Sequence, residues 1–147
     1  MNETTSAAAR TPKHLWAIGL LSLAWNAFGA VDYTMTNLRD PDYLGKFSPQ
    51  MVQVLDLMPV WVIAAWALGV WGAVAGSVLL LLRSRFAVHA FGVSLMGLAS
   101  STFYQFGARI PEELRTSDMN AMTLVIWIAA VGLFLYAARM RREGILR

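Results

Sequence analysis

The chain has 147 residues, the length of one ordinary domain, but 57% of them are hydrophobic and only 14% are charged. A water-soluble surface needs more charge than 12 Lys and Arg and 9 Asp and Glu residues supply, so the composition indicates a protein solvated mainly by lipid. The sequence has no cysteine, which excludes disulfides, thiolate metal sites and cysteine nucleophiles.

Four long, almost charge-free stretches predict four membrane-spanning helices. At about 1.5 Å per residue, a helix of about 20 residues crosses roughly 30 Å of hydrocarbon. Polar and apolar residues do not alternate in these stretches, so helices rather than strands satisfy the backbone hydrogen bonds. We therefore predict an all-α fold, a four-helix bundle forming a single integral-membrane domain over residues 1–147. The predicted spans cover about 15–33, 59–82, 86–107 and 119–138.

The first span has a second interpretation. Arg10 and Lys13, the short apolar stretch and the small residues around 27–30 resemble a cleavable signal sequence. Bulky Trp25 and polar Asn26 before the cleavage site argue against it, and an even number of spans fits the basic C-terminus better. The intact mass of the purified protein decides between the two interpretations.

The charged residues are sorted between the two sides of the predicted bundle. Eight of the 12 basic residues lie on one side and seven of the nine acidic residues on the other. Because basic loops resist translocation, we predict a bacterial inner-membrane protein with both termini in the cytoplasm and residues 34–58 outside. The net charge of +3 then reflects topology and gives no support to nucleic-acid binding. The inward basic residues are Arg10, Lys13, Arg83, Arg85, Arg139, Arg141, Arg142 and Arg147, and the outward acids are Asp32, Asp40, Asp42, Asp56, Glu112, Glu113 and Asp118.

The outer loop is predicted to contain a short amphipathic helix. Ser48 followed by Pro49 is typical of an N-cap and a first helical residue. Apolar residues then recur at helical spacing, so we expect this helix to lie on the outer membrane surface. Its apolar residues are Met51, Val54, Leu55 and Met58.

Small residues along span two predict close helix packing. They let two backbones approach, which strengthens dispersion in a medium that provides no hydrophobic drive between helices. One interpretation places this surface inside the bundle, and the other makes it a homodimer interface. The predicted packing residues are Ala65, Gly69, Gly72, Ala73, Gly76 and Ser77.

Uncharged polar and aromatic residues within the spans are the candidate ligand-binding residues, because polar groups in hydrocarbon are costly. They predict a polar cavity between spans one and three that opens to the outside. The alternative is structural: Ser and Thr bond back to their own helical turn, and Asn26 joins two helices. The candidates are Asn26, Tyr33, Trp66, Ser101, Tyr104 and Gln105.

The sequence favours no enzyme class. No span carries a charged residue in its middle, so the chain lacks the buried carboxylate that proton-coupled transport of this kind requires. His14 and His89 leave a bis-histidine haem site as one alternative, but His14 lies in the basic tail before span one. No acid–base, nucleophilic or metal set can be assembled, so we expect no catalytic residue, no cofactor and no metal site.

Two motif regions carry a family resemblance. They are Trp25-Asn26-x-x-Gly29-x-x-Asp32-Tyr33 followed by Met35-Thr36, and Pro59-x-Trp61 through Trp66-x-x-Gly69-x-Trp71 followed by Gly76-Ser77. With these motifs the chain resembles, over nearly its whole length, a family of small four-span bacterial inner-membrane proteins, some of which carry the label "sugar transporter". The resemblance implies that uncharged polar and aromatic residues would bind a sugar through hydroxyl hydrogen bonds and ring stacking.

Two functions follow as expectations. The first is binding, or facilitated transport, of a small neutral solute such as a sugar, or of a lipid. The second is a non-catalytic subunit or assembly factor of a larger membrane complex. The expected partners are the bilayer, a small neutral solute or lipid, and a second copy or a larger complex, with no nucleic acid.

Overall fold

The computed structural model describes residues 11–107 and 117–147, and within them it contains six helices and no strand. The predicted all-α fold is therefore confirmed for this part of the chain. Four helices are long, and two short ones lie between the first and second long helices. In chain order they are α1 (Lys13–Asn37), α2 (Pro41–Leu44), α3 (Pro49–Asp56), α4 (Val60–Leu81), α5 (Ala87–Gly107) and α6 (Ser117–Arg142).

The four long helices pack in the order α1, α4, α5, α6. Helix α4 lies in the middle against both α1 and α5, and α6 packs on the far side of α5. The contact between α4 and α5 is the most extensive in the bundle.

Three of the described helices, α1, α4 and α6, are long and apolar enough to cross a membrane. Helix α5 has 21 residues and no charged side chain, yet it is not among the three, because it contains His89 and a run of Ser, Thr and Gln residues. Several of these polar residues face α4 or the space between the helices, so α5 can be less apolar than its neighbours. Of the four predicted membrane spans, three are therefore supported by length and composition among the described residues, and the four-span bundle is not confirmed.

One end of the bundle is closed by a hydrophobic cluster. It brings together α1, α4, α5 and α6 with the residues that follow α6, and the sequence analysis did not anticipate the last of these. Gly144, with φ of 71°, turns the chain back so that Ile145 and Leu146 become buried. The cluster consists of Leu15, Leu80, Ala87, Phe91, Ala137, Met140, Ile145 and Leu146.

Backbone hydrogen bonds hold this C-terminal segment in place. Arg147 N donates to Arg83 O at 2.8 Å, and Arg85 N donates to Arg147 O at 3.0 Å. The Arg83 guanidinium also donates to Thr11 Oγ1 at 2.8 Å. The start of α1, the turn between α4 and α5, and the end of the chain therefore meet at one end of the bundle.

The opposite end carries the two short helices. Ser48 caps α3 by accepting a hydrogen bond from Met51 N at 3.2 Å, with Pro49 as the first helical residue, which confirms that prediction. Asp40 caps α2 in the same way through Tyr43 N at 2.8 Å.

Some of the charged residues from which the topology was predicted lie outside the described residues. They are Arg10, Arg109, Glu112, Glu113 and Arg115. The other charged residues used in that prediction lie within residues 11–107 and 117–147.

Candidate ligand-binding cavity

A cavity of about 420 Å³ lies between the four long helices. Its volume is within the range of about 300–1,000 Å³ that is typical of small-molecule sites. Helix α1 contributes residues from Trp25 to Asp32, and α4 contributes residues from Trp66 to Ala73. The opposite walls come from α5, between Phe91 and Gln105, and from α6, between Met122 and Leu133.

The small residues of α4 bring α5 close enough to form one continuous wall. A Cβ on Gly72 would lie 3.2 Å from Ala90 O, and a Cβ on Gly97 would lie 2.5 Å from Ala65 O. Gly76 faces the Phe91 ring, whose atoms would come within 2.7 Å of an added Cβ. At Gly97 the obstructing atoms belong to the α4 backbone, so a glycine there is what allows α4 and α5 to pack this closely.

The remaining small residues of α4, Ala73 and Ser77, face α1. Asn26 Nδ2 donates to Ala73 O at 3.3 Å and to Ser77 Oγ at 2.9 Å. Ser77 is fully buried and donates in turn to Ala73 O at 2.9 Å. The predicted packing residues of span two therefore lie between helices of the same chain, on two faces of α4.

Most hydroxyl groups on the cavity wall donate to backbone carbonyls. Ser94 Oγ donates to Gly69 O at 2.5 Å and links α5 to α4. Ser101 Oγ donates to Leu98 O at 3.1 Å, and Thr123 Oγ1 donates to Met119 O at 2.9 Å. Each hydroxyl has one hydrogen to donate, so these three groups can offer a ligand only acceptor lone pairs.

Aromatic rings lie in and beside the cavity. Trp66 lines the cavity, and Tyr33 packs edge-on against it with ring centroids 5.0 Å apart. Tyr104 packs in the same way against Trp61, at 5.6 Å. Trp25 also lines the cavity and is 42% exposed. Tyr33 and Tyr104, two of the predicted ligand-binding residues, therefore pack against tryptophans beside the cavity and do not line it.

Asp32 is the one ionisable residue among the described residues that line the cavity. Its Oδ1 accepts a hydrogen bond of 2.5 Å from the Tyr43 hydroxyl, which joins α2 to the end of α1. This hydrogen bond, with desolvation and the negative charge of Asp32, raises the pKa of Tyr43 to about 12. Tyr43 is therefore protonated at physiological pH and acts as a hydrogen-bond donor.

Of the six predicted ligand-binding residues, the structure places Asn26, Trp66, Ser101 and Gln105 on the cavity wall. The sequence analysis missed the wall that α6 provides. Its members recur every three or four residues along α6, and this spacing is a signal that the sequence contained. They are Met122, Thr123, Ile126, Ala129, Ala130 and Leu133.

The two histidines lie away from the cavity lining. His14 Nδ1 and the Tyr136 hydroxyl are 2.7 Å apart, a hydrogen bond between α1 and α6. His89 packs against Phe86, with ring centroids 5.9 Å apart. Within residues 11–107 and 117–147, no three His, Asp or Glu side chains are grouped so that they could hold a metal ion.

Comparison with known proteins gives no identification. No protein-family model matches the chain, and neither a curated protein nor a solved structure matches it.

Proposed function

We propose that this protein crosses a bacterial inner membrane four times, with both termini on the cytoplasmic side. Helices α1, α4 and α6 have the length and apolarity that this requires. The 21 residues of α5 suffice for a crossing between α4 and α6, and Ser94 and Ser101 of this helix are buried inside the bundle. Lys13, Arg83, Arg85 and the basic end of α6 lie at the same end of the bundle as the C-terminal segment, in keeping with the positive-inside rule.

A reporter enzyme that is active only in the cytoplasm, fused after Arg147, tests this topology. We expect activity from that fusion and none from the same reporter inserted between Gly45 and Lys46. The opposite pattern would contradict the proposed orientation.

Within the membrane, we propose that the protein binds a small neutral solute with a largely apolar body. The observation that supports this function is the cavity of about 420 Å³ bounded by all four long helices. Its inner end is closed by the buried cluster that includes Leu15 and Leu80. Most of its lining is apolar, with a few polar groups, as is typical of small-molecule sites.

The hydrogen bonds of the wall favour a lipid-like solute over a sugar. A sugar needs several donors and acceptors that face it, because each unpaired hydroxyl costs free energy on leaving water. Here Asn26, Ser94 and Ser101 donate their hydrogens to α4 or to their own helix. A sugar would find few donors, whereas an apolar chain loses nothing against such a wall.

Filling the cavity tests the proposed function. Ala130→Phe places a ring in the cavity, and Val131→Phe places the same ring at the exposed position next to it. We expect native mass spectrometry of protein extracted in a membrane-scaffold polymer to detect a retained small molecule on the wild type and on Val131→Phe, and not on Ala130→Phe. Equal retention by all three proteins, or by none, would contradict the proposal.

A second candidate function, a subunit of a larger membrane assembly, is favoured by the exposure of α6. Only 6% of the apolar stretch of α6 is buried, against 22% in α1 and in α4. The small residues of α4 already face α1 and α5, so α6 is the surface that a partner subunit or a second copy would use. The mass of the gently solubilised complex distinguishes the two functions: a stoichiometric foreign subunit supports the second one.

A further inference from the structure

The cavity has an apolar rim between α1 and α6. Trp25 and Phe28 on α1 line the cavity and are 42% and 76% exposed, and Met122 and Ile126 on α6 line it and are 53% and 37% exposed. The opposite wall is more enclosed, with Phe91, Ser94 and Ser101 of α5 buried. The cavity therefore meets the outside of the bundle between α1 and α6.

Helices α1 and α6 approach each other at the closed end of the bundle. There, His14 and Tyr136 share a hydrogen bond, and Leu15 packs in the same cluster as Met140. Contact between the two helices along the rest of their length is sparse. The two helices therefore leave a lateral gap between them along the part of the bundle that lies beyond this closed end.

The gap lies at the depth of the hydrocarbon in the proposed topology. Trp25 follows Lys13 by 12 residues, which places it about 18 Å along α1. Ile126 precedes Arg139 by 13 residues, about 20 Å along α6. Both positions are within a hydrocarbon layer of roughly 30 Å that begins near these basic residues. An apolar gap at this depth admits molecules that are dissolved in the bilayer.

The outer end of the cavity provides one hydrogen-bond acceptor of high strength. Asp32 accepts the Tyr43 hydroxyl through Oδ1, and a carboxylate can accept further hydrogen bonds through its other lone pairs. Thr102 and Gln105 also line the cavity. A head group with hydroxyls matches this carboxylate, whereas an anionic head group would be repelled by it.

We propose that the cavity takes up a neutral single-chain lipid with a hydroxyl head group, such as a monoacylglycerol, directly from the bilayer through the gap between α1 and α6. The chain lies along the apolar wall, and the head group donates a hydrogen bond to Asp32. This inference rests on the proposed binding function, and it adds the class of ligand and the route of entry.

Three probes with the same dodecyl chain length test the head-group class: 1-monolauroylglycerol, lauric acid and dodecylamine. We expect the monoacylglycerol to bind protein in nanodiscs at least about tenfold more tightly than lauric acid, whose carboxylate is repelled by Asp32, a difference of about 1.4 kcal/mol. Tighter binding of the acid or the amine would overturn the assignment of a neutral head group.

Two substitutions at the outer end separate the role of Asp32 from that of the loop. Asp32→Asn removes the charged acceptor, and we expect it to weaken monoacylglycerol binding roughly ten- to a hundredfold. Tyr43→Phe removes the hydrogen bond between α2 and Asp32 but keeps the carboxylate, so we expect its binding to stay close to that of the wild type. Equal losses in the two variants would show that loop docking matters rather than the carboxylate, which would overturn the proposed head-group contact.

The absence of native cysteine makes the route testable. In a Phe28→Cys/Met122→Cys variant, a bismaleimide that bridges α1 and α6 should slow exchange of the bound monoacylglycerol at least about tenfold. The same variant capped with N-ethylmaleimide serves as the control. Unchanged exchange in the bridged protein would overturn lateral entry while leaving the binding function intact. If none of the probes binds the unmodified protein, the inference fails, while the proposed binding function is decided separately by the small molecule retained in native mass spectrometry.

A spin label at Phe28→Cys gives an independent measure of the gap. We expect the label to be accessible to oxygen, which concentrates in the hydrocarbon, and protected from a water-soluble nickel chelate. A label that the nickel chelate reaches readily would place the gap in water and overturn entry from the bilayer.

Discussion

The Tyr43 hydroxyl attaches the loop between α1 and α4 to α1. The hydrogen bond to Asp32 is the main reason that its pKa rises to about 12, and desolvation adds to the effect. Because the folded protein favours the protonated phenol, this contribution to stability is complete below about pH 10, the ordinary pKa of tyrosine, and is lost as the pH rises through about 12.

A titration of phenolate absorbance checks this expectation. We expect Tyr43→Phe to remove a late step near pH 12 and Asp32→Asn to shift that step down toward pH 10. An Asp32→Asn titration identical to that of the wild type would contradict the role of the carboxylate.

Asn26 joins α1 to α4 through both hydrogens of its amide. Replacing it by leucine removes the bonds to Ala73 O and Ser77 Oγ, so we expect the free energy of unfolding to fall by about 1 kcal/mol, the size of an interhelical hydrogen bond in a membrane. Ligand retention should stay unchanged, because these hydrogens point to α4.

Thermal unfolding in detergent measures the effect of Asn26→Leu, with Ala27→Leu at the exposed neighbouring position as the control. If the Asn26→Leu protein keeps its stability but loses the ligand, Asn26 is a binding residue, and the assignment of a structural role to it is wrong.

At the scale of elements, the contact between α4 and α5 depends on glycine. A Cβ on Gly97 would come within 2.5 Å of Ala65 O and would also overlap the backbone of Gly69. Backbone atoms cannot move aside as a flexible side chain can, so we expect Gly97→Ala to destabilise the bundle by about 1–3 kcal/mol.

Gly132→Ala is the matched control in α6. A Cβ there meets nothing within 4 Å, and alanine favours the helix over glycine by roughly 0.5–1 kcal/mol. Denaturant titrations should therefore show opposite changes in stability for the two variants. A similar change in both would mean that the close approach of α4 and α5 contributes little.

How far the sequence predicts these elements depends on the kind of signal each one carries. Charge-free length identified the long helices, and Ser48-Pro49 identified the start of α3, because both signals are local. The periodic small residues of α4 showed that close packing occurs but not with which helix. That choice depends on α5, where Gly97 and Ser94 provide the complementary surface.

The candidate site was harder to predict because a cavity belongs to several helices at once. The polar residues Asn26 and Ser101 were found, since polar groups in an apolar helix are conspicuous. The α6 wall consists of residues such as Ile126 and Ala130, which look the same whether they face lipid or a ligand. Their spacing places them on one face of α6, but packing at the other end of α6 decides whether that face meets lipid or the cavity, and the sequence does not reveal this.

At the scale of the whole molecule, the segment after α6 closes the base of the bundle. Leu146 is 4% exposed and packs in the same cluster as Leu15 and Leu80, although it follows a run of charged residues that suggests a solvated tail. Because this cluster holds α1 and α6 together below the gap, weakening it should loosen the whole bundle.

We expect Leu146→Ala to lower the free energy of unfolding by roughly 2 kcal/mol or more, as for other buried leucines. The exposed Arg142→Ala is the control and should change stability little. A cysteine at Leu15, which is fully buried, makes the opening visible. Leu15→Cys should react slowly with a water-soluble maleimide and much faster when Leu146→Ala is added. Equal labelling rates would mean that the C-terminal segment lies on the bundle without closing it.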